Sequence, residues 1–290
     1  MKFKNIMTLL VILIVFLAVT ASVYGLVSSE GPGLHQYHSI HGQVVSIYGK
    51  GLYANDSVTV VAQGKAQDIV TLGLGVPLLL ISIYLARKNS LKGQLLLAGT
   101  LAYFLYTYIS YTFLWMYNPF FLVYVLLMSA SFFAFTLLMM SFNTKDIKAS
   151  FNPKLPIKFL GGFQIFFAFA IGMLWLGMIV PTIINGTVPP GLEHYTTLVI
   201  QGMDLGFIVP LAFISGVLLI KQNDFGYLLS SVIIIKGLTM GAALSAMIIG
   251  QIAAGVQMSL AQIIIFPLLS VVMIICLFLI LKNIDQKKIA

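Results

Sequence analysis

Apolar runs long enough to cross a lipid bilayer recur along this chain, and that recurrence restricts it to one kind of fold. A helix needs about 20 apolar residues to span the hydrocarbon core. Runs of that length occupy residues 5–27, 68–86, 94–115, 120–142, 157–184, 198–220, 226–249 and 259–281. The breaks between them hold turn or polar residues, as in Asn118-Pro119 and the stretch from Asn185 to Thr197. Only 8% of the residues are charged and 60% are hydrophobic, against roughly 25% charged in an average soluble protein. So few charges cannot cover the surface of a soluble fold. The expected fold is an all-α integral membrane bundle of eight transmembrane helices.

Loop charges give the bundle a direction, because cytoplasmic loops carry an excess of lysine and arginine. With the N-terminus inside, thirteen basic residues fall on the cytoplasmic side, from Lys2, Lys4 and Arg87 through Lys145, Lys148 and Lys221 to Lys287 and Lys288. Lys50 and Lys65 alone fall outside, and Lys236 lies within a span. Both termini are therefore expected in the cytoplasm of a cell bounded by this plasma membrane. The net charge of +8 is spread over short loops and forms no patch, so the bilayer is the expected partner and nucleic acid is not. Cys276 is the single cysteine, which excludes an internal disulfide or a thiol pair. Met1-Lys2-Phe3-Lys4 and the apolar run after it resemble a signal peptide. The run from Ile6 to Val27 exceeds the usual 7–15 residues of such a segment, which favours an uncleaved anchor.

The longest loop, 28–67, is expected outside. Its β-branched runs, Gln43 to Tyr48 and Ser57 to Val61, flank Gly49-Lys50-Gly51 and read as a small β-hairpin.

Shifting the chain by 133 residues superposes Leu72 to Leu96 on Leu205 to Leu229 with twelve identities in twenty-five positions. They include Gly73/Gly206, Pro77/Pro210, Ser82/Ser215, Lys88/Lys221 and Gly93/Gly226. Both copies run from outside to inside, so the repeat is parallel. The extension is a 4+4 arrangement: residues 1–142 hold spans one to four with the outer loop, and 143–290 hold spans five to eight. Each proline frees a backbone carbonyl and favours a kink, either for packing or to line a shared outward cavity.

Charged residues inside spans are costly and mark function by default. Asp204 and Lys236 are the two here, near enough for a stretched pair. Asp204 lies within Gly202-x-x-x-Gly206, a spacing that allows close helix approach. Gln67-Asp68 and Gln201-x-x-Asp204 bring an amide and a carboxylate to the outer mouth of each copy. Asp204, Lys236, Asp68, Gln201 and Tyr106 are the candidate ion- or substrate-binding residues. Tyr106 belongs to a tyrosine-dense span with Tyr103, Tyr108 and Tyr111, whose hydroxyls need partners. His35, His38 and His41 repeat at three and would share a transition metal if they lay on a helix; in a loop they would be solvated. No other cofactor is expected. Walker, dinucleotide, His-Glu-x-x-His and Gly-x-Ser-x-Gly patterns are missing from the sequence, so no enzyme class is indicated.

Tyr48 to Ser57, Gln67 to Pro77, Gly93 to Thr100, Tyr103 to Tyr108 and Tyr117-Asn-Pro-Phe-Phe121 resemble an uncharacterised family of bacterial and archaeal multi-span membrane proteins. The resemblance covers about 40–145 well and the second half less. It implies a prokaryotic plasma-membrane protein and supplies no catalytic residues. Three roles fit these features: transport or permeation of a small ion or metabolite between the repeats, an intramembrane enzyme acting on a lipid or quinone, or a sensor or assembly partner using the outer loop.

Overall fold

The computed structural model describes residues 3–258 and 260–285. Lys2, Lys287 and Lys288, counted above among the cytoplasmic charges, lie outside the described residues. The chain is mostly helical: α1 (Lys4–Val27), a hairpin of β1 (His35–His38) and β2 (Val44–Ile47), α2 (Val58–Arg87), α3 (Leu91–Phe113), α4 (Phe121–Ser141), a short α5 (Thr144–Ser150), α6 (Ile157–Asn185), α7 (Val199–Ile220), α8 (Asp224–Ala253) and α9 (Leu260–Lys282).

Seven of these helices are long and apolar enough to cross a membrane: α1, α2, α4, α6, α7, α8 and α9. The remaining expected span, α3, has 23 residues, but its tyrosines, threonines and serines dilute its apolar character. Its position explains that composition. It packs against α2, α4 and α8, and Leu97, Ala98, Leu101, Tyr103 and Phe104 are all fully buried. A helix wrapped by its neighbours satisfies polar side chains internally and need not match lipid.

The surface is the reverse of a soluble protein's. Ser82, Ser131, Thr100, Thr239, Ser215 and Gln164 are buried, whereas Leu9, Phe16, Leu122, Phe166, Ile183 and Phe278 face outward. Small and polar residues let helices approach and bond across, and large apolar ones meet lipid tails. At the α6–α7 crossing a Cβ on Gly161 would lie 2.7 Å from the Gly216 carbonyl, so only glycine permits that contact. The expectation of close packing at Gly202 and Gly206 is not met, since nothing lies within 4 Å of a Cβ built on either. Asp204 thus owes its burial to side chains and not to helix contact at those glycines.

The outer segment differs from the expected one. The hairpin pairs His35 with Ile47 and His38 with Val44; its second strand falls in the expected Gln43–Tyr48 run, but its partner precedes that run instead of following it. Val58 to Val61 opens α2, because the Ser57 hydroxyl caps the helix by accepting from the Val60 N–H at 3.2 Å. A cap of this kind outweighs the modest strand preference of valine and threonine. The second span therefore begins ten residues earlier than its hydropathy implied.

The two prolines behave alike. Each follows a single turn of π-helix, Thr71–Gly75 before Pro77 and Asp204–Ile208 before Pro210. Proline lacks an N–H and crowds the carbonyl four residues back; a wider turn relieves both problems, and such bulges recur at functional sites. The likeness extends through the next loop. Asn89 and Gln222 both take positive φ, at 58° and 53°, and Ser90 and Asn223 cap the following helices. A Cβ on Gly93 would strike Leu85 and Ala86, and one on Gly226 would strike Leu218 and Leu219. Every one of these pairs is 133 residues apart.

At the end holding most lysines, Lys148 pairs with Asp224 at 3.2 Å. The Asn152 N–H donates to the Asn283 carbonyl and the Asp285 N–H to the Ser150 carbonyl, each at 2.8 Å. These bonds tie the segment joining the two halves to the start of α8 and the end of α9.

Candidate functional site

The π-turn of α7 lifts Asp204 out of the α-helical register and presents it toward α3 and α6. Its Oδ1 accepts from the Tyr106 hydroxyl of α3 at 2.8 Å, and its Oδ2 from the Trp175 indole N–H of α6 at 2.9 Å. All three residues are half-buried. Lys236 comes from the middle of α8 and is 6% exposed. Its Nζ stands 3.9 Å from the centre of the Tyr106 ring. Asp204 is the charge that acts on it, yet no ion pair within 4.0 Å joins them among the described residues. Tyr106 separates the two, its ring toward the ammonium and its hydroxyl toward the carboxylate.

Gln201, half-exposed one turn before Asp204, takes no part in these bonds. Trp175 was missed by sequence reasoning. It is one of two tryptophans, and it sits mid-span instead of at an interface, where tryptophan concentrates. That displacement was the available signal.

Asp68 lies in a separate environment. It is 2% exposed and accepts from Tyr53 at 2.6 Å and from Tyr111 at 3.2 Å. Beside it, the Gln67 amide donates to Tyr103 at 2.5 Å and to Thr107 at 3.3 Å. Tyr103, Thr107 and Tyr111 stand four residues apart and share the face of α3 that meets α2. Tyr106 is on another face, so Asp68 and Asp204 share no hydrogen-bond partner. Two of the four tyrosines, Tyr106 and Tyr111, each donate to a different carboxylate, and Tyr103 bonds Gln67 and Thr71.

The 133-residue relation continues into this region. The Thr71 and Tyr103 hydroxyls bond at 3.1 Å. Their counterparts at +133 are Asp204 and Lys236. The pair at 71 and 103 is neutral, and the pair 133 residues further on is charged and separated.

The outer histidines are parted by the hairpin. His35 and His38 sit on a strand, where a spacing of three places them on opposite faces. His41 bonds the Tyr195 carbonyl at 2.9 Å, and His194 the Asn55 carbonyl at 3.0 Å. Among the described residues no three His, Cys, Asp or Glu side chains converge as metal ligands.

The same bonds hold the α6–α7 loop against the start of α2. Asp56, 1% exposed, accepts from the Tyr195 hydroxyl and the Met116 N–H, both at 3.0 Å. Burial raises its pKa to about 7, although those two donors pull the other way. Its Oδ2, the Glu193 Oε2 and the His194 Nδ1 are buried without partners.

An apolar groove of about 650 Å³ runs between α3, α4 and the start of α7. Leu105, Ile109, Phe132, Phe133 and Phe207 line it, and Met203, the residue before Asp204, forms part of its wall.

These apolar helices, with polar side chains turned inward and Asp68, Asp204 and Lys236 placed among them, fit a polytopic membrane protein. No protein-family model, curated protein or solved structure matches the chain.

Proposed function

We propose that the chain is an eight-span plasma-membrane protein with both ends in the cytoplasm and a parallel 4+4 repeat, and that it moves a small ion or metabolite across the bilayer. The carrying observation is the separation of Asp204 from Lys236. Opposite charges in a low-dielectric interior attract strongly, and a purely structural pair gains most by closing into contact. Here Tyr106 stands between them and keeps them out of contact. A solute that takes the Tyr106 hydroxyl away from Asp204 also moves the ring on which Lys236 rests, which couples the two charges to one binding event.

The repeat supports this reading. Its matching π-turns and loops give two related frames, and only the second carries charges at the turn and at the facing helix. A third helix enclosed by α2, α4 and α8 supports the eighth span, since an enclosed helix tolerates tyrosines that lipid would not. The excess of basic residues at the α2–α3, α4–α6 and α7–α8 connections supports cytoplasmic ends.

Flux into proteoliposomes tests the proposal, with H⁺, Na⁺, K⁺, Cl⁻ and a set of amino acids as probes. Asp204→Asn and Lys236→Met are each expected to cut the wild-type flux at least tenfold while the protein elutes as a folded species. Full flux in Asp204→Asn, or no flux of any probe through the wild type, would sink it.

The apolar groove favours a second reading, an enzyme acting on a lipid or quinone. That reading expects a lipophile to co-purify and turnover in detergent without any gradient.

A further inference from the structure

Asp68 is a carboxylate enclosed at the junction of α1, α2 and α3, and its surroundings consist almost entirely of hydroxyl oxygens. Tyr53 and Tyr111 donate to it. The Ser22 hydroxyl of α1 faces the Asp68 carboxylate without reaching close hydrogen-bond geometry to it or to any other group. Tyr124 of α4 packs edge-on against Tyr111 with centroids 5.3 Å apart, and its buried hydroxyl has Tyr53 and Asn118 as polar neighbours without close hydrogen-bond geometry to either. Ser22 and Tyr124 are each 1% exposed. The Gly64 carbonyl comes within 3.2 Å of the Tyr111 hydroxyl.

Lys65 acts on this charge only from a distance, and no cation touches it among the described residues. Their one ion pair is Lys148 with Asp224. Lys65, one turn before Asp68 on α2, bonds the Tyr48 hydroxyl at 2.8 Å. A buried carboxylate without a counter-charge is costly, and two orphaned hydroxyls beside it add to that cost. Both costs end if a cation sits among these oxygens.

We propose that Asp68, with the hydroxyls of Ser22, Tyr53, Tyr111 and Tyr124, forms a buried site for Na⁺. The chemistry of the ligands selects the class. All are oxygen, which suits a hard cation and not a soft transition metal. One carboxylate neutralises one positive charge, which favours a monovalent ion over Ca²⁺ or Mg²⁺. The packing selects the smaller alkali ion: a Cβ on Gly25 would lie 2.5 Å from the Tyr53 hydroxyl and 2.6 Å from Asp68 Oδ2, so the cluster has no slack for a large one. The tyrosines keep their protons on the carboxylate while their oxygen lone pairs face the ion. The site is distinct from Asp204 and does not depend on the chain being a transporter.

Thermal unfolding of the purified full-length protein in NaCl, KCl or choline chloride at one ionic strength tests the site. Saturating Na⁺ is expected to raise Tm by at least about 5 °C over choline, with K⁺ giving a smaller rise. Asp68→Asn is expected to abolish the response, and Asp204→Asn to retain it, so failure here is distinguishable from failure of the transport reading. Tyr124→Phe guards against misfolding of the Asp68 variant. Removing an orphaned hydroxyl leaves Tm in choline unchanged or higher, while losing a ligand moves the Na⁺ midpoint to at least about fivefold higher concentration. Three results overturn the proposal: the same Tm in all three salts, an equal response to K⁺, or an infrared band of a protonated carboxylic acid in saturating Na⁺ that vanishes in Asp68→Asn.

Discussion

Lys236 rests its ammonium on the face of Tyr106, 3.9 Å from the ring centre, and the same tyrosine hands its hydroxyl proton to Asp204 at 2.8 Å. One aromatic side chain thus serves two opposite charges that do not touch. Membrane interiors make such an arrangement expensive, and its persistence in a helix core is the strongest mark of function in the molecule.

The Lys236 ammonium has a ring face for a partner and no contact carboxylate, so its desolvation is only partly compensated. Lys236→Met keeps the length of the side chain and removes the charge. It is expected to leave stability unchanged or to raise it by about 1 kcal/mol, read as a higher Tm in detergent, while flux is lost. A marked fall in Tm would show that the lysine is structural.

Trp175→Phe removes one of the two donors to Asp204 and keeps the aromatic bulk. The expected loss is roughly 1–2 kcal/mol, that of a hydrogen bond to a charged group at a half-buried site. Trp175 fluorescence makes the companion measurement possible. In the wild type, Asp204→Asn is expected to shift the indole emission, because the partner of its N–H changes from a carboxylate to an amide. Unaltered emission would place Trp175 away from Asp204.

Gly25 lets α1 pass the Tyr53–Asp68 hydrogen bond. Gly25→Ala would drive a methyl to 2.5 Å from the Tyr53 hydroxyl. Overpacking of this kind costs roughly 1–3 kcal/mol, and the bond it displaces is buried. The variant is expected to unfold at a lower temperature and to lose any Na⁺ response, whereas Gly73→Ala, with nothing within 4 Å, is expected to keep both.

The packing of the 186–198 loop on the start of α2 is expected to loosen as pH rises. Asp56 has its pKa raised by burial from 3.8 to about 7, so the folded state binds its proton more tightly than the unfolded state. Stability therefore falls as pH climbs from about 4 through about 7 and levels off above that, by on the order of 3–4 kcal/mol at full ionisation. Proteolysis of the 186–198 loop should be faster above about pH 7 than near pH 5. Asp56→Asn should flatten that dependence; an unchanged profile would assign the titration to another group.

Much of the fold was legible in the residues. Apolar run length placed the helices, with the start of α2 misplaced because capping by Ser57 is a local bond that hydropathy does not register. The 133-residue likeness marked Pro77 and Pro210, but not the π-turn that precedes each of them, because the widening of a turn leaves no trace in hydropathy. The histidine spacing was compatible with a helix or a loop, and the strand between His35 and His38 removed the shared face that metal binding needed.

The sequence by itself determined that this chain has helices long and apolar enough to cross a bilayer, where they run, and which few polar residues they carry. Free energy of transfer depends on composition over about 20 residues, and composition is read directly from the chain. Which polar residues meet was decided only by tertiary structure. Helices such as α4, α6 and α8 are apolar on nearly every side, so no amphipathic stripe tells the packed face from the lipid face. Asp204 therefore found Trp175 and Tyr106, and Asp68 found Tyr53 and Tyr111, through the way α3 is rotated among its neighbours, and that rotation is a property of the whole bundle.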